Sequence, residues 1–210
     1  MHIPDGYLSP ISVIGTYTIA IPLWIYSFKK LRQTLNEETM PLIGALSAIS
    51  FVIMMFNIPI PTGTSGHAVG AVLIALLFNP WIAFISISLV LLIQSVIFGD
   101  GGISALAINS LSMGLVGSFV GFYVYKYLKK YKYASFIAGW SGLVASSFIV
   151  ALILGIQPFW TENNKPLYFP FGLDITIPAL VGSHMLFFGI VEGIFTQLIK
   201  ENRWIKKEFS

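Results

Sequence analysis

Nearly every positive charge in this chain falls in one of three short clusters, and the long stretches between them are apolar. Lys29, Lys30 and Arg32 form the first cluster, and Lys126, Lys129, Lys130 and Lys132 the second. Lys200, Arg203, Lys206 and Lys207 form the third, and only Lys165 stands apart. A transmembrane helix needs ~20 apolar residues at about 1.5 Å rise each. Hydrophobic residues make up 56% of the 210 positions and charged residues 10%, against roughly 25% charged in soluble domains. A soluble globule of this length cannot hide so much apolar surface, so the bilayer is its solvent. A disordered chain, a secreted disulfide scaffold and an ordinary cytosolic enzyme are thereby excluded. The chain has no Cys, which also excludes iron–sulfur clusters and thiolate zinc sites.

The apolar runs predict an all-α membrane protein forming one integral domain over residues 1–210, with seven spans near 11–28, 40–58, 66–79, 80–98, 106–126, 134–156 and 177–199. Asn79-Pro80 divides the third from the fourth, because Pro favours a turn or a helix start. Seven crossings gather all three basic clusters on one face, whereas six would split them. That face is cytoplasmic by the positive-inside rule, with the N-terminus outside and the C-terminus inside. The net charge of +3 therefore reports membrane orientation rather than nucleic-acid binding. The first ten residues carry no Lys or Arg, which is unlike a secretory signal, and Met1 is expected to stay in place because His2 is too large for the usual trimming.

The third span is short, and the segment before it, Ile58 to His67, holds two Pro and two Gly. Irregular backbone at membrane depth is tolerated only when it is buried in protein or lines a cavity, so this outer loop is expected to dip inward. Phe98-Gly99-Asp100-Gly101-Gly102 forms a second such stretch on the same side. In the long outer loop at 157–176, Trp160, Tyr168, Phe169 and Phe171 read as an interfacial aromatic belt. Gly66 with Gly70 and Gly117 with Gly121 read as close helix packing. There is no GxxxxGK[ST] sequence, so the chain has no ATP site of that kind.

The only histidines, His2, His67 and His184, all fall in the outer half. A free α-amine, the next amide nitrogen and a His at position two can all bind one ion. Amine and amide close a five-membered ring; amide and imidazole Nδ1 close a six-membered one. One further imidazole, from His67, completes a plane of four nitrogens, the preference of Ni(II) or Cu(II).

Met1-His2-Ile3-Pro4-Asp5-Gly6-Tyr7-Leu8-Ser9, the Gly63-Thr64-Ser65-Gly66-His67 loop, and Phe98-Gly99-Asp100-Gly101-Gly102 followed by Asn109 resemble one family. It is the substrate-binding membrane component, the M subunit, of nickel and cobalt energy-coupling-factor transporters. The resemblance covers nearly the whole chain. It implies the six-helix substrate-component bundle with an extra N-terminal helix, and Ni²⁺ or Co²⁺ as cargo held by Met1, His2 and His67. It also implies a transmembrane scaffold (T) subunit, cytoplasmic ATPases and a small accessory membrane subunit as partners in a prokaryotic cell membrane. The chain departs from the family at Thr62 and Ala107, where Gly is common, and matches more loosely around His184 and Glu192-Gly193.

Ligating imidazoles need a partner for their second nitrogen, and Gln94, Asp100 and Asn109 are the candidates. Asp100 reads equally as a turn residue. Glu192, about fifteen residues into the last span, is expected to lie beyond reach of an outer site, as a protonated structural group or a partner contact. A stand-alone carrier or channel, a membrane metalloenzyme and a metal sensor are the alternatives. A closed set of four nitrogens leaves no open position for catalysis, and no signalling domain is present in the sequence. A reporter inserted near Lys130 should behave as cytoplasmic in a topology assay; an external signal there would contradict the seven-span arrangement.

Overall fold

The computed structural model describes residues 1–60, 64–162 and 165–202. Pro61, Thr62 and Gly63 of the dipping loop and Arg203, Lys206 and Lys207 of the third basic cluster lie outside the described residues. Seven helices follow one another among the described residues: α1 Pro10–Thr34, α2 Thr39–Met54, α3 Ala71–Leu77, α4 Pro80–Phe98, α5 Leu106–Leu128, α6 Ala134–Phe159 and α7 Leu173–Lys200. Five of them, α1 and α4 to α7, are long and apolar enough to cross a bilayer. Helix α2 has 16 residues and reaches ~24 Å.

The expected span at 66–79 is shorter than its apolar run. It is helical only over the seven residues of α3, about 10 Å of rise. Gly70, at the start of α3, has φ +78°, and a Cβ there would meet Ser50 Oγ at 2.6 Å. The chain before it is extended, and strand β1 (Ile58–Ile60) pairs antiparallel with β2 (Thr64–Gly66). Helix α3 is thus a short buried rod inside the bundle, with Ala71, Val72, Leu73, Ile74, Ala75 and Leu77 all buried. Asn79 then accepts hydrogen bonds from Trp81 and Ile82 backbone N–H and starts α4 at Pro80.

Small residues set how closely the helices approach. A Cβ on Gly117 would lie 2.5 Å from Ser146 Oγ of α6, and one on Gly121 would lie 2.5 Å from a Val72 methyl of α3. Both glycines serve packing within the chain. Helices α4, α5 and α7 each contain π-helical turns, at Gln94–Phe98, Ser110–Val116, Ile177–Val181 and His184–Phe188. Such widened turns cluster at functional sites. The aromatic belt expected in the 157–176 loop needs one correction. Phe169 is buried, packs against Tyr7 with ring centroids 5.3 Å apart and planes tilted by 43°, and donates its N–H to the Tyr7 carbonyl. It clamps the N-terminal segment instead of facing the membrane interface.

Gly121→Val should lower stability in a detergent thermal-unfolding assay by about 1–3 kcal/mol, the usual cost of overpacking. Gly44→Ala, where a Cβ meets nothing within 4 Å, should not. Equal effects would contradict this packing.

Candidate metal site

The first nine residues are threaded into the bundle rather than left in solvent. Met1, His2, Ile3, Leu8 and Ser9 are buried, with Met1 0% exposed. Asn109, at the head of the Ser110–Val116 π turn, clamps Ile3 from both sides. Its Oδ1 accepts from Ile3 N–H at 3.0 Å and its Nδ2 donates to the Ile3 carbonyl at 3.1 Å. The Ile3 carbonyl also accepts from Gly102 N–H at 2.9 Å. A Cβ on Gly102 would collide with the Asp5 backbone, so the Gly-Gly of this loop is what lets the terminal segment lie against it. Asp5 in turn accepts from the Ile103 and Ser104 N–H groups at 3.2 and 2.8 Å. Ser9 caps α1, accepting from Ser12 N–H, while its own N–H is held by Gln157 at 2.9 Å.

This threading brings three nitrogen-bearing groups together. The Met1 amine donates to the Ser65 carbonyl and lies 3.5 Å from Ser65 Oγ. The His2 and His67 rings are stacked, with centroids 4.6 Å apart and planes 28° from parallel. His2 Nδ1 sits 3.0 Å from Asp100 Oδ1, and His67 Nδ1 meets the Ala68 carbonyl at 3.0 Å. The Nε2 atoms of both rings are buried without a hydrogen-bond partner. Leaving such an acceptor unsatisfied costs about 1–3 kcal/mol.

Burial keeps the nitrogen groups of the pocket unprotonated. Burial lowers the amine from its ordinary 8.0 to about 5, against a smaller opposing pull from Asp100. Burial also lowers His2, assisted by the nearby amine and opposed by its bond to Asp100. Burial would raise Asp100, but the contact with His2, the amine and the Asn57 side chain together hold it below the ordinary carboxylate value. At neutral pH the amine and the His2 imidazole are therefore uncharged, with lone pairs available.

Of the expected supporting residues, Asp100 and Asn109 reach the terminal segment directly. Gln94 does not: its side-chain Nε2 donates to the Phe51 carbonyl of α2 at 3.4 Å. Its backbone carbonyl instead accepts from Asp100 N–H at 3.1 Å. Glu192 has the structural role expected of it, but lies nearer the outer loop than its place in the span suggests. The 64–70 segment dips far enough to meet α7, so the Glu192 carboxylate accepts from Val69 N–H at 2.7 Å and from Gly70 N–H at 3.0 Å. It thereby pins the backbone just after His67. Sequence reasoning did not find Asn57, whose Nδ2 lies 3.1 and 3.0 Å from the two Asp100 oxygens, or Ser65 as the acceptor for the amine. A lone Asn after an apolar run and a backbone carbonyl carry no sequence signal. Among the described residues no group of three or more His, Cys, Asp or Glu side chains forms a metal cluster; the donors here include main-chain nitrogen.

Comparison with known proteins agrees with this architecture. Residues 2–201 match the family described as the cobalt uptake substrate-specific transmembrane region. The fused nickel transport protein NikMN of Rhodobacter capsulatus is 40% identical over 206 residues, covering 93% of this chain and 59% of that protein. The chain thus spans about three fifths of the fused relative's length. The cobalt transport protein CbiM of Clostridium tetani is 32% identical over 205 residues, covering 96% of this chain and 83% of that one. A crystal structure of a truncated transition metal transporter superposes with a TM-score of 0.93 at 40% identity, covering 100% of both chains. The chain belongs to the CbiM family of substrate-specific transmembrane proteins, whose relatives are named for nickel or cobalt transport.

Proposed function

We propose that this chain captures Ni²⁺ or Co²⁺ at its outer face, as the substrate-specific subunit of an ATP-driven energy-coupling-factor transporter. The observation that carries the reading is the buried, uncharged terminal amine beside two stacked imidazoles with unpartnered nitrogens. The amine, the deprotonated His2 amide nitrogen, His2 Nδ1 and His67 Nε2 supply four nitrogens in a plane, which favours nickel. Chelation through His2 Nδ1 requires that ring to leave Asp100 by turning about its Cβ–Cγ bond. Asp100, fixed by Asn57, then serves as the resting partner of the empty site, and Asn109 holds the donor-bearing backbone in register.

In this reading the chain crosses the membrane seven times, α3 with its dipping loop counting as one crossing. The terminus is outside and the basic clusters are cytoplasmic, beside the scaffold and ATPase subunits that supply energy; a small accessory membrane subunit completes the set. Transport by this chain alone in vesicles would favour a stand-alone carrier instead.

Nickel titration of the purified chain, by calorimetry in buffers of different ionisation enthalpy, tests the reading. Because the amine and the His2 imidazole are already neutral at pH 7, binding should release about one proton, that of the His2 amide. Affinity should then fall about tenfold per pH unit, and more steeply near pH 5 as the amine takes up a proton. His67→Ala should lose at least ~100-fold in affinity while the protein stays folded. No proton release, or unchanged affinity in His67→Ala, would remove the site.

A further inference from the structure

The third histidine repeats the wiring of His67. His184 Nδ1 lies 2.7 Å from the Leu180 carbonyl, as His67 Nδ1 lies 3.0 Å from that of Ala68. A carbonyl oxygen only accepts, so in both rings the proton sits on Nδ1 and Nε2 carries the lone pair. Both Nε2 atoms are buried and unpartnered, and His184 is 0% exposed. Metal-binding imidazoles are oriented in this way, with one nitrogen donating to a carbonyl and the other free to ligate.

His184 also adjoins the pocket. The Phe188 ring packs against it with centroids 5.0 Å apart, and the same ring lies so close to Gly66 that a Cβ there would collide with it. Gly66 precedes His67. His184 opens the widened π turn His184–Phe188 of α7. His184 Nε2 is thus a further buried ring nitrogen without a hydrogen-bond partner, one aromatic ring away from the segment that carries His67.

We propose that His184 Nε2 is a further ligand for the transported ion, and that His67 and His184 form a two-imidazole station that receives it from the terminal chelate. The proposal rests on the capture reading above. His67 belongs to both stations, so the ion can move without losing all its protein ligands. As it moves, the His2 amide nitrogen regains a proton from solvent. The second station lacks that anionic nitrogen and holds the ion more weakly, as release requires.

His2→Ala removes one imidazole from the terminal chelate and leaves His67 and His184 as the chain's only histidines. In this variant, labelled with ¹⁵N-histidine, added Co²⁺ should shift both Nε2 resonances and give weak binding with imidazole ligand-field bands. Adding His184→Asn, whose amide can still donate to the Leu180 carbonyl, should weaken that binding ~10-fold. His184→Asn alone should keep native nickel affinity and lose uptake by the complete transporter. A shift at only one imidazole, no residual Co²⁺ binding, or Co²⁺ binding and uptake indifferent to His184 would overturn the station. A wild-type chain that binds neither ion would overturn the capture reading itself.

Discussion

The structure depends on placing a chain terminus inside a membrane bundle. An α-amine is ordinarily charged, and burying a charge is among the largest penalties a fold can incur. Here burial lowers the pKa of the amine to about 5, so it is neutral at pH 7, and it donates to the Ser65 carbonyl. A neutral buried amine is a good ligand and a poor proton acceptor, so the burial that destabilises its charge also favours the metal role proposed for it.

Holding the terminus there takes several independent anchors. Asn109 matches the amide of Ile3 in both directions, Asp5 ties down the turn against Ile103 and Ser104, and Phe169 takes the Tyr7 carbonyl. From the opposite side, Glu192 of α7 grips the Val69 and Gly70 N–H groups behind His67. The terminal segment, the loop after α4, the loop before α3 and the last helix therefore meet at one place. A movement of α7 relative to the rest would be transmitted through Glu192 to the backbone next to His67.

Much of this was readable in advance, for physical reasons that also explain the failures. Apolar run lengths foretold the five long apolar helices because the bilayer imposes such lengths. That the amine, His2 and His67 would come together was legible because their donor chemistry is local or unusual for such a chain; their binding of an ion is the proposal. Run length failed at 66–79, where apolar composition served burial inside the bundle and Gly70 stopped the helix. Composition failed at Phe169, since a core aromatic and an interfacial one look alike in sequence. The direction of the Gln94 side chain and the reach of the loop that meets Glu192 were not legible, because both are tertiary facts. His184 and His67 share a carbonyl-held Nδ1 that only coordinates reveal.

The central claim is that the terminal amine itself binds the ion. One residue inserted before Met1 moves the amine out of the five-membered ring and leaves a neutral amide in its place. The most direct measurement is the absorption spectrum and affinity of that extended chain with Ni²⁺, beside the native one. The account predicts that the planar four-nitrogen spectrum and native affinity are both lost, while a C-terminal extension changes neither. An N-terminally extended chain that binds nickel with native affinity and spectrum would contradict it.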